Sequence, residues 1–284
     1  NKDNKIEHLI LNIKGVIFFK QQKFEQAKKD FLKSIELDKS FIDPYKNLFK
    51  LNLKTQDYDS AIKNGKKVIE LEIKKNPISY FNLALAYDLN KDYKKAIDLY
   101  KIVEKLNFKE KKILFNNLAK CFLANKNIDE AKNYYLKALE LNQNDKIIVN
   151  NLLILFLRIG DKNRAEFFYK KAQELDENYI EFKLNKSDYL LSKNKIEDAI
   201  NCLETIINNS KNYTAYTKLF KIYSMIGDLE KSIKIIDEAI NEHPKQKDLK
   251  FSRGMHHLIK GEFEKGWEFY ELRDSIMKDG FFEN

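Results

Sequence analysis

The sequence predicts an all-α fold in which about eight helix-turn-helix hairpins stack into an α-α superhelix. Two observations predict it: a small residue recurs near the start of every second helix, and apolar residues follow helical spacing on both sides of it. The small residues are Ala27, Ala61, Ala96, Ala131, Ala165, Ala199, Ser232 and Gly266, separated by 34, 35, 35, 34, 34, 33 and 34 residues. Internal periods of this length are typical of solenoids, in which each hairpin buries its apolar face against its neighbour.

The stretch from Lys112 to Asp145 shows the hairpin pattern most completely. Its apolar residues recur at helical spacing and predict two helices that each present one buried face. We expect the buried positions to be Phe115, Leu118, Ala119 and Phe122 in the first helix and Ala131, Tyr135, Ala138 and Leu141 in the second. The polar run 125–127 predicts the turn between them, and Asp129 favours the start of the second helix.

Two further slots recur at the same period. The eighth position of the repeat is small at Gly15, Ala84, Ala119, Ser187 and Gly254, and departs from this rule at Phe49, Leu153 and Phe220. The second helix carries an aromatic residue at Phe31, Tyr100, Tyr135, Tyr169 and Tyr270. In period and motif the chain resembles the tetratricopeptide repeat family.

The resemblance implies one repeat array over residues 1–276, of which residues 1–5 are a polar lead. Its repeats start near residues 8, 42, 77, 112, 146, 180, 213 and 247. Residues 277–284 form a C-terminal extension, which could link the array to a further domain.

Two repeats depart from the pattern in a way that affects packing. Repeat two has Gly65 in place of the second-helix aromatic residue and Asn52 in place of a first-helix one, which leaves room in its core. Repeat six has Lys183 and Lys186 where other copies have apolar residues. We expect these lysines to extend towards water or the helix to rotate, which makes repeat six the weakest internal joint.

The charge balance does not favour a nucleic-acid surface. Lysine and arginine number 52 against 43 acidic residues, a net charge of +9. Charges of both signs are dispersed along the helices, and no basic block is interleaved with stacking aromatic residues. We interpret most of them as solvated helix faces, so nucleic acid is an unlikely partner.

The sequence motifs of common enzymes are missing. There is no glycine-rich phosphate loop, no HExxH and no nucleophile motif, so we expect this segment not to be an enzyme and to hold no cofactor. His256 and His257 are adjacent and point to different sides of a helix, which argues against a metal site.

Cys121 and Cys202 lie in different repeats without disulfide or zinc spacing. This usage predicts reduced thiols and a cytoplasmic protein. No apolar run reaches the roughly 18 residues of a membrane span, so we expect no membrane partner. The sequence shows no signal peptide. Because the chain begins at Asn1 rather than Met, we interpret it as a fragment from which a leader could be missing.

An asparagine ladder is the strongest candidate for a binding site. In the tetratricopeptide family the first helix of each hairpin faces the concave side, so the resemblance implies that its sixth residue lines a groove. That residue is asparagine in five consecutive repeats, at Asn47, Asn82, Asn117, Asn151 and Asn185. Asparagine accounts for 29 of the 284 residues, so chance would place on average fewer than one among eight copies.

A primary amide donates and accepts hydrogen bonds at once, which suits a surface that holds an extended peptide by its backbone. The alternative is that asparagine is common at this slot in the family, whether or not a copy binds anything. The basic residues around the ladder are Lys46, Lys50, Lys54, Lys120 and Arg158, offset by Asp43 and Asp88. They favour an acidic peptide or a terminal carboxylate as the ligand of a protein-binding scaffold.

The eighth repeat suggests a second functional hypothesis. Its residues 261–273 read GEFEKGWEFYELR. They resemble the final repeat, of the form GDFxxGWxxYExR, of bacterial tetratricopeptide proteins that continue into a glycosyltransferase-like domain. Leu272 stands where those relatives commonly have tryptophan. The resemblance implies a substrate-recruiting module whose catalytic domain follows Asn284.

In that hypothesis Trp267 is the anchor of a domain interface, with Tyr270 and Arg273 beside it. The aromatic residues of this repeat and the apolar residues that follow exceed what one preceding hairpin can cover. The alternative is that the residues after Arg273, which include Met277, Phe281 and Phe282, fold back as a capping helix.

Overall fold

The computed structural model describes residues 4–271 and 273, and within this range it contains sixteen α-helices and no strand. The all-α fold class is therefore confirmed. The chain divides into two compact units, unit 1 over Asn1–Leu141 and unit 2 over Asn142–Asn284. The expected C-terminal extension at residues 277–284 lies outside the described residues, as do Met277, Phe281, Phe282 and the proposed capping helix.

Unit 1 contains four hairpins. Its helices are α1 (Asn4–Lys20), α2 (Phe24–Leu37), α3 (Ile42–Lys54), α4 (Tyr58–Leu71), α5 (Pro77–Leu89), α6 (Tyr93–Lys105), α7 (Lys111–Ala124) and α8 (Ile128–Leu141). The first helix begins at Asn4, so Asn4 and Lys5 are helical instead of belonging to a polar lead.

Unit 2 also contains four hairpins. Its helices are α9 (Lys146–Arg158), α10 (Lys162–Asp176), α11 (Ile180–Ser192), α12 (Ile196–Ser210), α13 (Tyr213–Met225), α14 (Leu229–Glu242), α15 (Lys247–Ile259) and α16 (Phe263–Tyr270). Within the described residues of both units, no helix is long and apolar enough to span a membrane.

Each hairpin turns at a residue with positive φ. These residues are Gln22, Gln56, Lys91, Lys126, Gly160, Asn194, Gly227 and Gly261, and they repeat at the same period as the small residues. The left-handed conformation ends the first helix, and the next helix often begins at an aspartate cap. The side chain of Asp57, for example, accepts a hydrogen bond from the backbone N–H of Ser60, 3.1 Å away. The turn chemistry therefore sets the period of the array.

The small residues allow close helix approach, as the sequence predicts. A Cβ atom added to Gly15 would lie 2.5 Å from the ring of Phe31, and one added to Gly254 would lie 2.5 Å from the Cβ of Phe269. Distances this short leave no space for a side chain. Glycine at these positions is a packing requirement.

The expected core of residues 112–145 needs two corrections. Leu141 is 52% exposed, because it is the last residue of α8. Phe115 is only half-buried, whereas its neighbour Leu114 is 1% exposed and Cys121 is completely buried. Leu114, Leu118 and Cys121 share one face of α7, so the helix is rotated slightly from the orientation that the aromatic pattern predicts.

Candidate functional site

The three ladder residues of unit 1 lie on its first helices in equivalent positions. Asn47, Asn82 and Asn117 belong to α3, α5 and α7, and all three are half-buried. Their amides nevertheless have different surroundings. Two are hydrogen-bonded within the protein, and one is not.

Asn47 is paired with a second asparagine. Its Nδ2 donates to the Oδ1 of Asn12 on α1, 2.9 Å away, and Asn12 is 9% exposed. The sequence analysis missed Asn12, since it lies one residue before the ladder slot of repeat one, which Ile13 occupies. This pair uses part of the hydrogen-bonding capacity of Asn47 to join α1 and α3.

Asn117 lies above a buried tyrosine. Its Nδ2 donates to the hydroxyl of Tyr100 at 3.4 Å, and its Oδ1 accepts from Asn116 at 3.5 Å. Tyr100 is completely buried, and burial raises the pKa of its hydroxyl. The tyrosine is the second-helix aromatic residue of repeat three, so here the core of the preceding repeat supports the ladder residue of repeat four.

Asn82 has no such support. Among the described residues no hydrogen bond is made by its side-chain amide, which lines a cavity of about 200 Å³ between α3 and α5. The second-helix aromatic slot beneath it is occupied by Gly65. The amide is therefore available to a ligand, with space beside it.

An exchange of large and small residues shapes this cavity. Repeat one pairs Gly15 on its first helix with Phe31 on its second, whereas repeat two pairs Phe49 on its first helix with Gly65 on its second. A Cβ atom added to Gly65 would lie 3.1 Å from the ring of Phe49. The sequence correctly predicts room at Gly65, but Phe49 fills part of it from the opposite helix.

Lysines line the other side of the cavity. Lys46 and Lys50 lie one turn apart on α3, and both line the cavity together with Asn82. The Nζ of Lys46 is 3.7 Å from Glu72 Oε1, which also accepts hydrogen bonds from Ser79 and Asn76. Lys50 is exposed. Positive charge and apolar surface thus lie side by side at this position.

The other two basic candidates of unit 1 lie outside the cavity. Lys54 is the exposed last residue of α3. Lys120 is exposed on α7 near Asp88, whose pKa is raised by burial and lowered in part by that lysine. Asp88 therefore sits in a partly desolvated position between Lys120 and Cys121.

In unit 2, Asn151 and Asn185 are half-buried on α9 and α11, and Arg158 is the exposed last residue of α9. The lysines of repeat six form part of a depression of about 450 Å³, together with Leu190 and Cys202. Lys183 extends outwards, and its Nζ donates to Asn178 Oδ1 at 2.9 Å. Lys186 stands in the slot of Leu118, which is completely buried in repeat four, so repeat six lacks that apolar contact.

The C-terminal candidates surround an exposed aromatic patch in unit 2. Trp267 is 55% exposed and Phe263 is 61% exposed. Tyr270 packs edge-on against Trp267, with ring centroids 5.1 Å apart. Arg273 donates to the Tyr270 hydroxyl at 2.9 Å and lies over its ring.

The two adjacent histidines take part in local packing. His256 Nε2 lies 3.0 Å from the hydroxyl of Ser232, and His257 Nδ1 lies 2.7 Å from Glu262 Oε2. Among the described residues, no group of three or more His, Cys, Asp or Glu side chains could hold a metal ion.

Comparisons with known proteins agree with this architecture. Tetratricopeptide repeat patterns match residues 9–41, 47–107, 113–145 and 148–179, more than half of the chain. No curated protein matches the chain. Among solved structures, the chain is similar to a tetratricopeptide repeat protein from Parabacteroides merdae, with a TM-score of 0.64, 17% identity, and coverage of 81% of this chain and 92% of that one.

Two further similarities come from proteins of different systems. One is a chain of the APC/C hetero-tetramer Cut9-Hcn1, with a TM-score of 0.60, 16% identity, and coverage of 80% of this chain and 45% of that chain. Another is PilW, a type IV pilus biogenesis factor, with a TM-score of 0.60, 13% identity, and coverage of 75% and 98%. At these identities the likeness shows the fold alone. Repeat period, hairpin structure and matched patterns together place this chain in the tetratricopeptide repeat family.

Proposed function

We propose that this chain is a protein-interaction scaffold, and that unit 1 holds an extended, acidic segment of a partner protein across its first helices. The tetratricopeptide fold implies protein partners in general. The observation that carries the finer proposal is the unbonded amide of Asn82, which lies beside the cavity and opposite Lys46 and Lys50. An amide in this position offers a donor and an acceptor to a peptide backbone whatever its side chains are.

The chemistry sets the expected affinity. Each amide contact contributes about 0.5 to 1.5 kcal/mol net to the free energy of binding. The entropy lost when the peptide becomes ordered offsets several of these contacts. Exposed lysines add a preference for acidic segments, and salt screens that preference. We expect micromolar binding that weakens as the ionic strength rises.

The test uses arrayed acidic and basic peptides and the complete chain. Replacing Asn82 and Asn117 by alanine should weaken the binding of acidic peptides about tenfold, because the contacts of the unbonded Asn82 amide and of the second Nδ2 hydrogen of Asn117 are lost. Asn133→Ala is the matched control, since Asn133 is an exposed asparagine on the second helix α8. Unchanged binding by the double variant would exclude the first helices of unit 1 as the site. A separate variant with Asn151 and Asn185 replaced tests unit 2 in the same way.

A second candidate function concerns the exposed aromatic patch of unit 2. We propose as the alternative that Trp267 docks a following glycosyltransferase-like catalytic domain, for which this chain recruits substrate. The exposure of Trp267 and Phe263 supports it, because large aromatic residues at a surface are typical of interfaces.

This alternative is tested in a longer protein that continues past Asn284. Trp267→Ala should loosen the docking of the following domain, as measured by limited proteolysis between the domains. Phe167→Ala is the control, since Phe167 is 59% exposed on α10, away from the patch. If both variants are cut at the parent rate, Trp267 does not anchor a domain.

A further inference from the structure

The cavity of repeat two combines an apolar floor with a polar rim. Phe49 is 6% exposed and Val68 is 4% exposed, and both line the cavity together with buried Gly65. On the rim, Ile78 is 59% exposed and Lys50 is exposed. An apolar floor that reaches the surface can be covered by a ligand side chain.

The size of the cavity restricts that side chain. Its volume is about 200 Å³. An engineered apolar cavity of roughly 150 Å³ binds benzene in another protein, so a phenyl ring or a leucine side chain fits here. The cavity is therefore large enough for one apolar residue of a peptide.

The two lysines next to the cavity differ in their ion pairing. Glu72 lies 3.7 Å from Lys46, and its side chain is 10% exposed. Within the described residues, Lys50 makes no ion pair or hydrogen bond, so the positive charge that remains for a ligand is the one on Lys50. A carboxylate near the apolar side chain would complement it.

We propose that this cavity is a specificity site, which takes a phenylalanine or leucine side chain of the bound peptide while an adjacent carboxylate pairs with Lys50. The inference rests on the proposed function of unit 1, because it names which residues of an extended peptide are selected there. Asn82 holds the peptide backbone at the same position. The carboxylate is that of an aspartate or glutamate side chain or of the peptide C-terminus.

Four small probes separate these features. N-acetylphenylalanine has a ring and a terminal carboxylate, and N-acetyl-aspartyl-phenylalaninamide has a ring and a side-chain carboxylate. N-acetylphenylalaninamide has the ring alone, and N-acetylglycine has the carboxylate alone. Binding is followed in the complete chain by NMR through the methyl resonances of Val68, which line the cavity.

At least one probe with both groups should saturate at a concentration at least fivefold lower than the ring-only probe. N-acetylglycine should not shift Val68. The tighter of the two acids identifies the source of the carboxylate. The proposal is overturned if no probe shifts Val68, or if the ring-only probe binds as tightly as both acids.

Variants check the assignment to residues. Lys50→Gln should abolish the fivefold preference and leave the ring-only probe unaffected, whereas Lys63→Gln, an exposed lysine on α4, should change neither. Val68→Phe fills the cavity and removes the Val68 reporter, so binding to this variant is followed through the methyl resonances of Ile78, which also lines the cavity. This variant should abolish binding of every ring-containing probe. Gly65→Ala adds one methyl group and should weaken ring binding without abolishing it; it is used if circular dichroism shows that Val68→Phe is poorly folded. Ring binding by folded Val68→Phe, or undiminished ring binding by Gly65→Ala, would place the ring elsewhere and overturn the proposal.

The failure of this inference can be distinguished from failure of the proposed function. If arrayed acidic peptides bind through Asn82 and Asn117 but show no preference for an apolar residue, the specificity site is wrong and the scaffold proposal stands. If no arrayed peptide binds, both are wrong.

Discussion

Asn117 and Tyr100 are joined by a hydrogen bond of 3.4 Å, in which a half-buried amide donates to a completely buried hydroxyl. Asn117→Ala leaves that hydroxyl without this partner and should lower the free energy of unfolding by about 1 kcal/mol. Asn82→Ala, which removes no such bond, should change it by less than about 0.5 kcal/mol. Urea denaturation of the two variants measures the difference. Equal losses would show that the bond contributes nothing measurable.

The effects on stability of replacing Phe49 and Gly65 should be coupled, because the Phe49 ring fills space left by the missing side chain of Gly65. Phe49→Ala should cost about 3 to 5 kcal/mol, as for other buried phenylalanines. Gly65→Phe alone should also destabilise, since a Cβ atom there already lies 3.0 Å from Leu83 and 3.1 Å from Phe49. The double variant restores the order found in repeat one and should lose less than the sum of the two. If the loss of unfolding free energy in the double variant equals the sum of the losses in the two single variants, the two residues are not coupled.

The ionised carboxylate of Asp88 should lower the free energy of unfolding at neutral pH. Burial raises the pKa of this carboxyl, and Lys120 offsets only part of the shift. The folded protein therefore holds the proton more tightly than the unfolded chain, so stability falls as the pH rises through the raised pKa. Asp88→Asn should be more stable than the parent at pH 7, and the advantage should disappear below about pH 3.9, the ordinary aspartate range.

The measurement is chemical denaturation of both proteins across this pH range. Asp98→Asn, an exposed aspartate on α6, serves as the control. A stability gap that persists at low pH would mean that desolvation of the charged form is not its cause.

Repeat six should exchange its amide hydrogens faster than repeats three to five. Lys183 and Lys186 border a depression of about 450 Å³, and Lys186 stands in the slot of Leu118, which is completely buried in repeat four. Fewer buried contacts lower the free energy of local opening. Hydrogen exchange read by mass spectrometry should show earlier deuteration of α11 and α12 than of α5 to α10.

Lys186→Leu should slow that exchange by filling part of the depression, whereas Lys221→Leu, an exposed lysine on α13, should not. Uniform protection across repeats three to seven would rule out a weak joint.

The hairpins could be predicted because each position that defines them can be recognised without knowing which residue it contacts. A small residue is required at the start of each second helix, where two helices come close: a Cβ atom added to Gly266 would lie 2.4 Å from the Leu258 side chain and 3.0 Å from its backbone nitrogen. Such a requirement is visible at a single sequence position. The turn residues with positive φ were harder to predict, because four of the eight are Gln or Lys, which do not favour this conformation.

Features that depend on two slots at once could not be predicted. Phe49 and Gly65 were recognisable only as two separate departures from the repeat pattern. The pairing of Asn12 with Asn47 depends on how α1 and α3 lie side by side. Likewise, the choice of Leu114 over Phe115 for the core follows from the rotation of α7, which its neighbouring helices set.

The two cysteines give the unaltered chain an optical reporter in each unit. Cys202 is partly exposed in the depression of repeat six, whereas Cys121 is completely enclosed in unit 1. Burial raises the pKa of both thiols, so a thiol-reactive dye meets little thiolate at either site. Coupling at Cys202 then reports the breathing of repeat six, and coupling at Cys121 requires a much larger opening. The ratio of the two labelling rates thus compares local opening of repeat six with the larger opening that exposes Cys121.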